Sequence, residues 1–268
     1  MWKYDLFAIL LIIVVVYYAQ QYLVKEGFAM PWDCGDKMKF LSSQETREFL
    51  MKDPDSYVST FSTWDLMARH VNTEMEYRKR IGNAAMSFDN GQKLRLIAAA
   101  KRADQCFATI TLEKFKGIDD EQRKNIINIP WVFALTRGGA YEEGLPHTRA
   151  NIIFLSTKVD ETPERLAKLL VHEKVHLYQR MYPEHMMQML QNNGYMRWKQ
   201  RFGVPRIRAN PDLDPYIYIE PKTQAPMLAV YKSDKPTGIE DVEIKHHVKE
   251  HPYEEIAYMM DAKYIHEM

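Results

Sequence analysis

The side chains best suited to chemistry are His172, Glu173 and His176, within the run His172-Glu173-Lys174-Val175-His176. On a helix, positions four apart share one face, one turn from each other. Both imidazoles can then reach a single zinc ion at about 2.0–2.1 Å. Glu173 follows the first histidine and can point at a water on such an ion, where it would take the proton. A run of this form arises by chance in roughly 2% of shuffled chains of this composition, so its setting decides its weight.

That setting is a helix. Thr162-Pro163-Glu164 reads as an N-cap, a first-turn proline and an acidic first turn. The pattern predicts a helix from Pro163 to about Met181, stopped before Pro183. Leu166, Leu169, Leu170, Val171 and Leu177 give it a wide apolar surface that must be covered. A zinc site of this kind needs a third protein ligand and leaves the fourth position for water. A third histidine three turns along fails, since Gln179 and Tyr182 occupy the glycine and histidine positions of that longer motif. The remaining choice is an acid on a later helix, in His251-Pro252-Tyr253-Glu254-Glu255-Ile256-Ala257-Tyr258. Pro252 opens that helix, and small Ala257, three residues past Glu254, leaves room for close packing beside the metal helix. Glu255 lies about 100° round the same helix, so only one of the two glutamates can face the metal. Glu254 is the preferred ligand and Glu255 the alternative.

The remaining elements must build a frame around these helices. Ser42 and Glu45 form a capping box for a short helix that stops at Asp53-Pro54. Thr63 to about Met86 and Lys93 to Phe107 are helical in pattern, the latter with Leu94, Ile97, Ala98 and Lys101 on one face. Trp131–Thr136 and Asn151–Ser156 read as two short strands of a small sheet. Between them His147, in Gly144-Leu145-Pro146-His147-Thr148-Arg149, could donate to a developing oxyanion or cap a turn. Tyr258, Tyr216 and Tyr178 could also donate there. Residues 184–191 suggest a further helix, and Tyr216–Ile219 and Met227–Tyr231 short strands. The adjacent pair His246-His247 reads as solvent-exposed.

The N-terminus is of another kind. Leu6–Ala19 carries no charge and spans roughly 21 Å as a helix. With Tyr22, Leu23 and Val24 the apolar stretch reaches about 28 Å, near the thickness of a bilayer core. This predicts a single-pass membrane anchor. A cleaved signal peptide is the rival, but Tyr17 occupies the small-residue position for a cut after Ala19. The expected organisation is therefore residues 1–29 as anchor and juxtamembrane segment, 30–130 as a mainly helical part, and 131–268 as the metal-binding catalytic part. Lys and Arg total 36 and Asp and Glu 36, so no net positive charge argues for nucleic-acid binding. Only two cysteines are present, Cys34 and Cys106, too few for a disulfide framework or a four-cysteine zinc site. A deformylase-type site would need a cysteine ligand in a Gly-Cys-Leu context, and Cys106 stands in Gln-Cys-Phe.

His172-Glu173-Lys174-Val175-His176 followed by a helix-borne glutamate resembles the gluzincin branch of zinc metallopeptidases. His251-Pro252-Tyr253-Glu254-Glu255-Ile256-Ala257-Tyr258 is similar to the Asn-Pro-x-Glu-x-x-Ala pattern of several such families, with His251 in place of Asn. The resemblance covers roughly Tyr141 to Asp261. It implies an α+β, zincin-like fold with a small sheet packed on the active-site helix, zinc held by His172, His176 and Glu254, and Glu173 as general base. It also implies a peptide or protein substrate, with Asn151–Ser156 as the edge strand that pairs with it. Where many gluzincins carry Asp, four residues after the ligand glutamate, this chain has Tyr258; Asp261 could orient a histidine instead. A non-catalytic, membrane-anchored protein on the same scaffold is the alternative.

Overall fold

Two apolar runs rich in β-formers, β3 (Trp131–Thr136) and β5 (Ile152–Ser156), pair in parallel at the centre of the main sheet. In this computed structural model residues 37–110, 118–202, 204–245 and 249–264 are described. The apolar run Leu6–Ala19 and the pair His246-His247 lie outside them. Among the described residues no helix is long and apolar enough to cross a membrane. Contacts separate residues 1–36 from residues 37–268, and the described residues all belong to the second unit.

The fold is α+β. β1 (Met38–Phe40) lies parallel to β3, and β2 (Ala85–Met86) pairs antiparallel with its far end. β4 (His147–Arg149) closes the other side, antiparallel to β5. The sheet order is therefore β1-β3-β5-β4, and it draws strands from both sides of position 130. The expectation that Asn151–Ser156 is the edge strand is corrected here: β5 has partners on both sides, and the edge is His147–Arg149. Three residues, two of them polar and one charged, carry too little pattern to signal a strand. Two smaller sheets follow, β6 (Met196–Gln200) with β7 (Tyr216–Ile219) and β8 (Pro226–Met227), and β9 (Ala229–Tyr231) with β10 (Val242–Ile244).

The helices are α1 (Ser43–Lys52), α2 (Thr63–Ala68), α3 (Glu74–Asn83), α4 (Asn90–Thr109), α5 (Asp120–Asn128), α6 (Pro163–Met181), α7 (Pro183–Asn192) and α8 (Pro252–Lys263). The Ser42–Glu45 capping box is formed. The single helix expected over Thr63–Met86 is broken in two. His70 takes a left-handed backbone, φ 53°, and Arg69 before it is held in a buried ion pair with Glu142. Thr73 then caps the second piece, its hydroxyl accepting from the Glu76 N–H at 3.1 Å.

α6 has the predicted limits, with the Thr162 hydroxyl accepting from the Arg165 N–H. Its apolar side is buried through Leu166, Leu170, Val171, Val175 and Leu177, each contributing about 1.5–3 kcal/mol by leaving water. α4 meets it with Leu96, Ala99, Ala100 and Ala103. The face expected from Leu94, Ile97, Ala98 and Lys101 is thus the wrong one, and Leu94 is 45% exposed. The small alanines allow close helix approach, which tertiary packing selects over the larger residues. On the other flank Ala257, fully buried, brings α8 against α6. Lys174 points away from its neighbours in the motif. Its Nζ donates to Asp104 at 2.6 Å and lies 4.0 Å from the centre of the Trp131 ring, tying α6 to the sheet and to α4.

A tight turn sets the direction of β4. Glu142, Glu143 and Gly144 all have positive φ, at 41°, 55° and 88°. A Cβ on Gly144 would stand 2.8 Å from the Gly138 carbonyl oxygen, so only glycine fits. The two glutamates hold this strained backbone through their side chains, Glu142 bound by Arg69 and Tyr77 and Glu143 accepting from the Ile239 N–H.

Candidate metal centre

α6 and α8 bring three donors together. The Nε2 atoms of His172 and His176 lie 3.1 Å apart. Glu254 presents one oxygen 3.7 Å from His172 Nε2 and the other 3.9 Å from His176 Nε2. All three ligand atoms fall within 4.8 Å of one another. Bonds of about 2.0–2.1 Å at tetrahedral angles would separate donors by about 3.3 Å. The neighbouring glutamate goes elsewhere: the Tyr195 hydroxyl donates to Glu255 at 2.8 Å. His251, at the Asn position of the gluzincin-like pattern, does an Asn's capping work, its Nδ1 accepting from the Tyr253 N–H at 3.1 Å.

The outer partners fix both tautomers. A carboxylate can only accept, so His172 Nδ1–H donates to Asp261 at 3.1 Å. The Gln179 amide nitrogen donates to the Tyr253 carbonyl, which turns its oxygen toward His176, and His176 Nδ1–H donates to that oxygen at 2.8 Å. Both Nε2 atoms are then bare lone pairs facing each other across 3.1 Å, with a carboxylate beside them. Such an arrangement repels itself unless a proton or a metal cation sits between the donors, and three converging ligand atoms fit a divalent metal. Two imidazoles and one carboxylate suit zinc among the common ions.

Burial holds the Glu173 carboxyl well above its ordinary range, and the charges of Asp212 and Glu254 push it the same way. Its Oε2 is buried without a hydrogen-bond partner. Burial, and then Asp212, likewise raise Glu254 to about 7, against the pull of His172. Burial lowers His176. His172, Glu173 and Glu254 open on a cavity of about 540 Å³, which His147, Leu169 and Tyr258 also line.

His147 is buried on this cavity wall, stacked on Phe154. Its Nδ1–H donates to the Leu145 carbonyl at 2.9 Å, the turn-capping bond. Nε2 is left buried and unpartnered. Burial lowers this histidine's pKa, so the neutral ring can accept at Nε2 but not donate. Of the three tyrosines considered as donors, Tyr258 reaches the cavity, its ring edge-on to His172 at 4.7 Å. Tyr178 pairs with His185, and Tyr216 lines a different cavity.

Two site residues had no signal in the sequence. The segment Arg208–Asp212, from an irregular proline-containing stretch, passes beside the candidate ligand Glu254. The Asn210 amide donates to Glu254 at 3.2 Å and to Glu250 at 2.8 Å. Asp212 accepts from the Thr148 N–H at 2.6 Å and from its hydroxyl at 2.9 Å. Neither a protein-family model, nor a curated protein, nor a solved structure matches the chain.

Proposed function

We propose that this chain is a zinc-dependent metallopeptidase with a zincin-like arrangement of sheet and active-site helix, anchored to a membrane by the apolar run Leu6–Ala19. The observation that supports it most is the meeting of two bare histidine Nε2 atoms and Glu254 beside an unpartnered, buried Glu173. Zinc, when bound by His172, His176 and Glu254, would polarise a scissile carbonyl and acidify the attacking water. Glu173 takes that water's proton and delivers it to the leaving amine. Its raised pKa suits both halves of the task, since it releases a proton readily near neutral pH only when a positive charge is close. Asp261 and Gln179 orient the two imidazoles and keep Nε2 free for the metal. His147, neutral and accepting at Nε2, receives a substrate or product N–H. Tyr258 is the cavity's hydroxyl donor for a carbonyl oxygen that gains charge.

The test is metal analysis of the full chain in detergent, followed by digestion of an unfolded protein. One equivalent of zinc in wild type and in Glu255→Ala, lost in His172→Ala and Glu254→Ala, supports the site. Glu173→Gln should keep the zinc and lose hydrolysis. Turnover equal to wild type by Glu173→Gln sinks the mechanism. Zinc without hydrolysis of any peptide favours the non-catalytic alternative.

A further inference from the structure

Along the metal helix the groove is interrupted. Arg165, Lys168, Leu169, His172 and Glu173 of α6 line the cavity that holds the metal centre. Gln179 and Arg180, further along the same helix, line a second cavity of about 530 Å³ with Pro183. The two cavities share three residues only, Asn210, Pro211 and Asp212. This strap crosses the groove at the metal, between the first cavity and the second.

The strap is built in. The Ala209 N–H donates to Asp65 at 2.7 Å and its carbonyl accepts from Arg69 at 3.1 Å. Arg180 donates to the Pro211 carbonyl, and Arg208 pairs with Glu250. It also occupies the free edge of β4. The outward N–H of Thr148 is taken by Asp212 and its carbonyl by Arg180. The next outward position toward the chain start is Pro146, which has no N–H. An extended peptide therefore cannot add to this edge and continue past the metal. Substrate has room on one side of the scissile bond, toward Leu169 and Arg165, and must end at the strap on the other.

What the strap presents to that end is a carboxylate. Asp212 is 8% exposed and lines the cavity. Thr148 uses only its Oδ1; Oδ2 has no hydrogen-bond partner among the described residues. Of the carboxylates that line the cavity, Glu142 is paired with Arg69, Glu250 with Arg208 and Asp261 with Lys168, whereas Asp212 has no such ion pair among the described residues. A chain end bearing a cation fits, and a carboxyl end does not.

Resting on the peptidase reading, we propose that the substrate is a peptide with a free amino terminus, whose ammonium is held by Asp212, and that the reaction is exopeptidic. The test compares two zinc-loaded samples of the full chain acting on one neutral decapeptide without Lys or Arg, amino-terminus free or acetylated. The free peptide should be shortened from its amino end, and acetylation should lower kcat/KM by about tenfold or more. Asp212→Asn, which keeps an oxygen for Thr148, should lose that discrimination. Calorimetric titration of Glu173→Gln with both peptides should show the same preference as binding affinity. Internal cleavage, removal from the carboxyl end, or indifference to acetylation overturns the proposal while leaving the peptidase reading intact. Tight, acetylation-sensitive binding with no cleavage by wild type overturns the peptidase reading and leaves the ammonium site standing. No cleavage and no binding overturns both.

Discussion

Two sets of buried acids face the same cavity and are treated in opposite ways. Glu142 is buried and fully engaged: Arg69 donates to it from Nε at 3.0 Å and from Nη2 at 2.5 Å, and the Tyr77 hydroxyl donates at 2.6 Å. Burial would raise its pKa, yet the Arg69 charge and hydrogen bonds win and hold it below the ordinary value. Glu173, on the facing helix, has no cation beside it and a buried Oε2 without a hydrogen-bond partner, and it is pushed up; Glu254 is pushed up by burial and by Asp212 although the Arg208 charge and the Asn210 amide act on it. A carboxylate whose partners are supplied by the fold is serving the fold. One that is buried without a partner represents a cost the fold would shed unless a ligand repays it. Here the residue types and the geometry fit a divalent cation in that role.

The largest expected effect breaks the satisfied side. Arg69→Ala leaves Glu142 buried without a counter-charge and should lower unfolding free energy by about 3–5 kcal/mol in urea titration. The loss should also disorder the strap, since Arg69 holds the Ala209 carbonyl. A loss under about 1 kcal/mol, the size of a solvated pair, would erase the distinction between the two clusters. On the unsatisfied side, Asp261→Asn should leave the metal-free fold near wild type. It should weaken zinc binding about ten- to a hundredfold in competition with a chelator, because a neutral amide oxygen in place of the carboxylate makes the His172 imidazole a weaker ligand base. Unchanged affinity would mean that His172 is not a ligand or does not need Asp261.

The same contrast explains what could be read from the chain and what could not. α6 was legible because all of its determinants are local: the Thr162 cap, Pro163, the apolar spacing and the histidine pair. So was the start of α8 at Pro252. The choice between Glu254 and Glu255 needed the fold, since local spacing says only that they diverge; Tyr195, 60 residues away, takes Glu255. The β4 edge was misassigned because His147–Arg149 is held by distant partners. Arg149 is bound by Asp53, Asp55 and Tyr141, and Thr148 by Asp212. The strap was invisible for the same reason, being an irregular segment fixed by Asp65, Arg69, Arg180 and Glu250. Long-range polar contacts leave no periodicity to find.

The smallest effect to look for is a difference of sign with pH. Glu142 has a folded pKa below its ordinary 4.5, so its contribution is complete above that value and is lost as the pH falls through the folded one. Glu254 is raised to about 7 from 4.5. Between these two values the metal-free folded chain holds a proton that the unfolded chain has lost, so stability falls as the pH rises. Glu173 acts in the same direction. His147 and His176, lowered by burial, act oppositely near pH 6 and mask the fall in wild type alone. The informative quantity is the difference between wild type and Glu254→Gln, in which the histidine contribution largely cancels. Measured by urea unfolding of metal-free protein at pH 5 and 7.5, the variant should gain on the order of 1–3 kcal/mol relative to wild type across that interval. With zinc bound the order reverses: wild type gains stability as the pH rises and protons leave the ligands, and Glu254→Gln gains far less. A variant that tracks wild type in the metal-free state would mean that Glu254 is as well satisfied as Glu142, and the case for a cation between the two histidines would lose its electrostatic half.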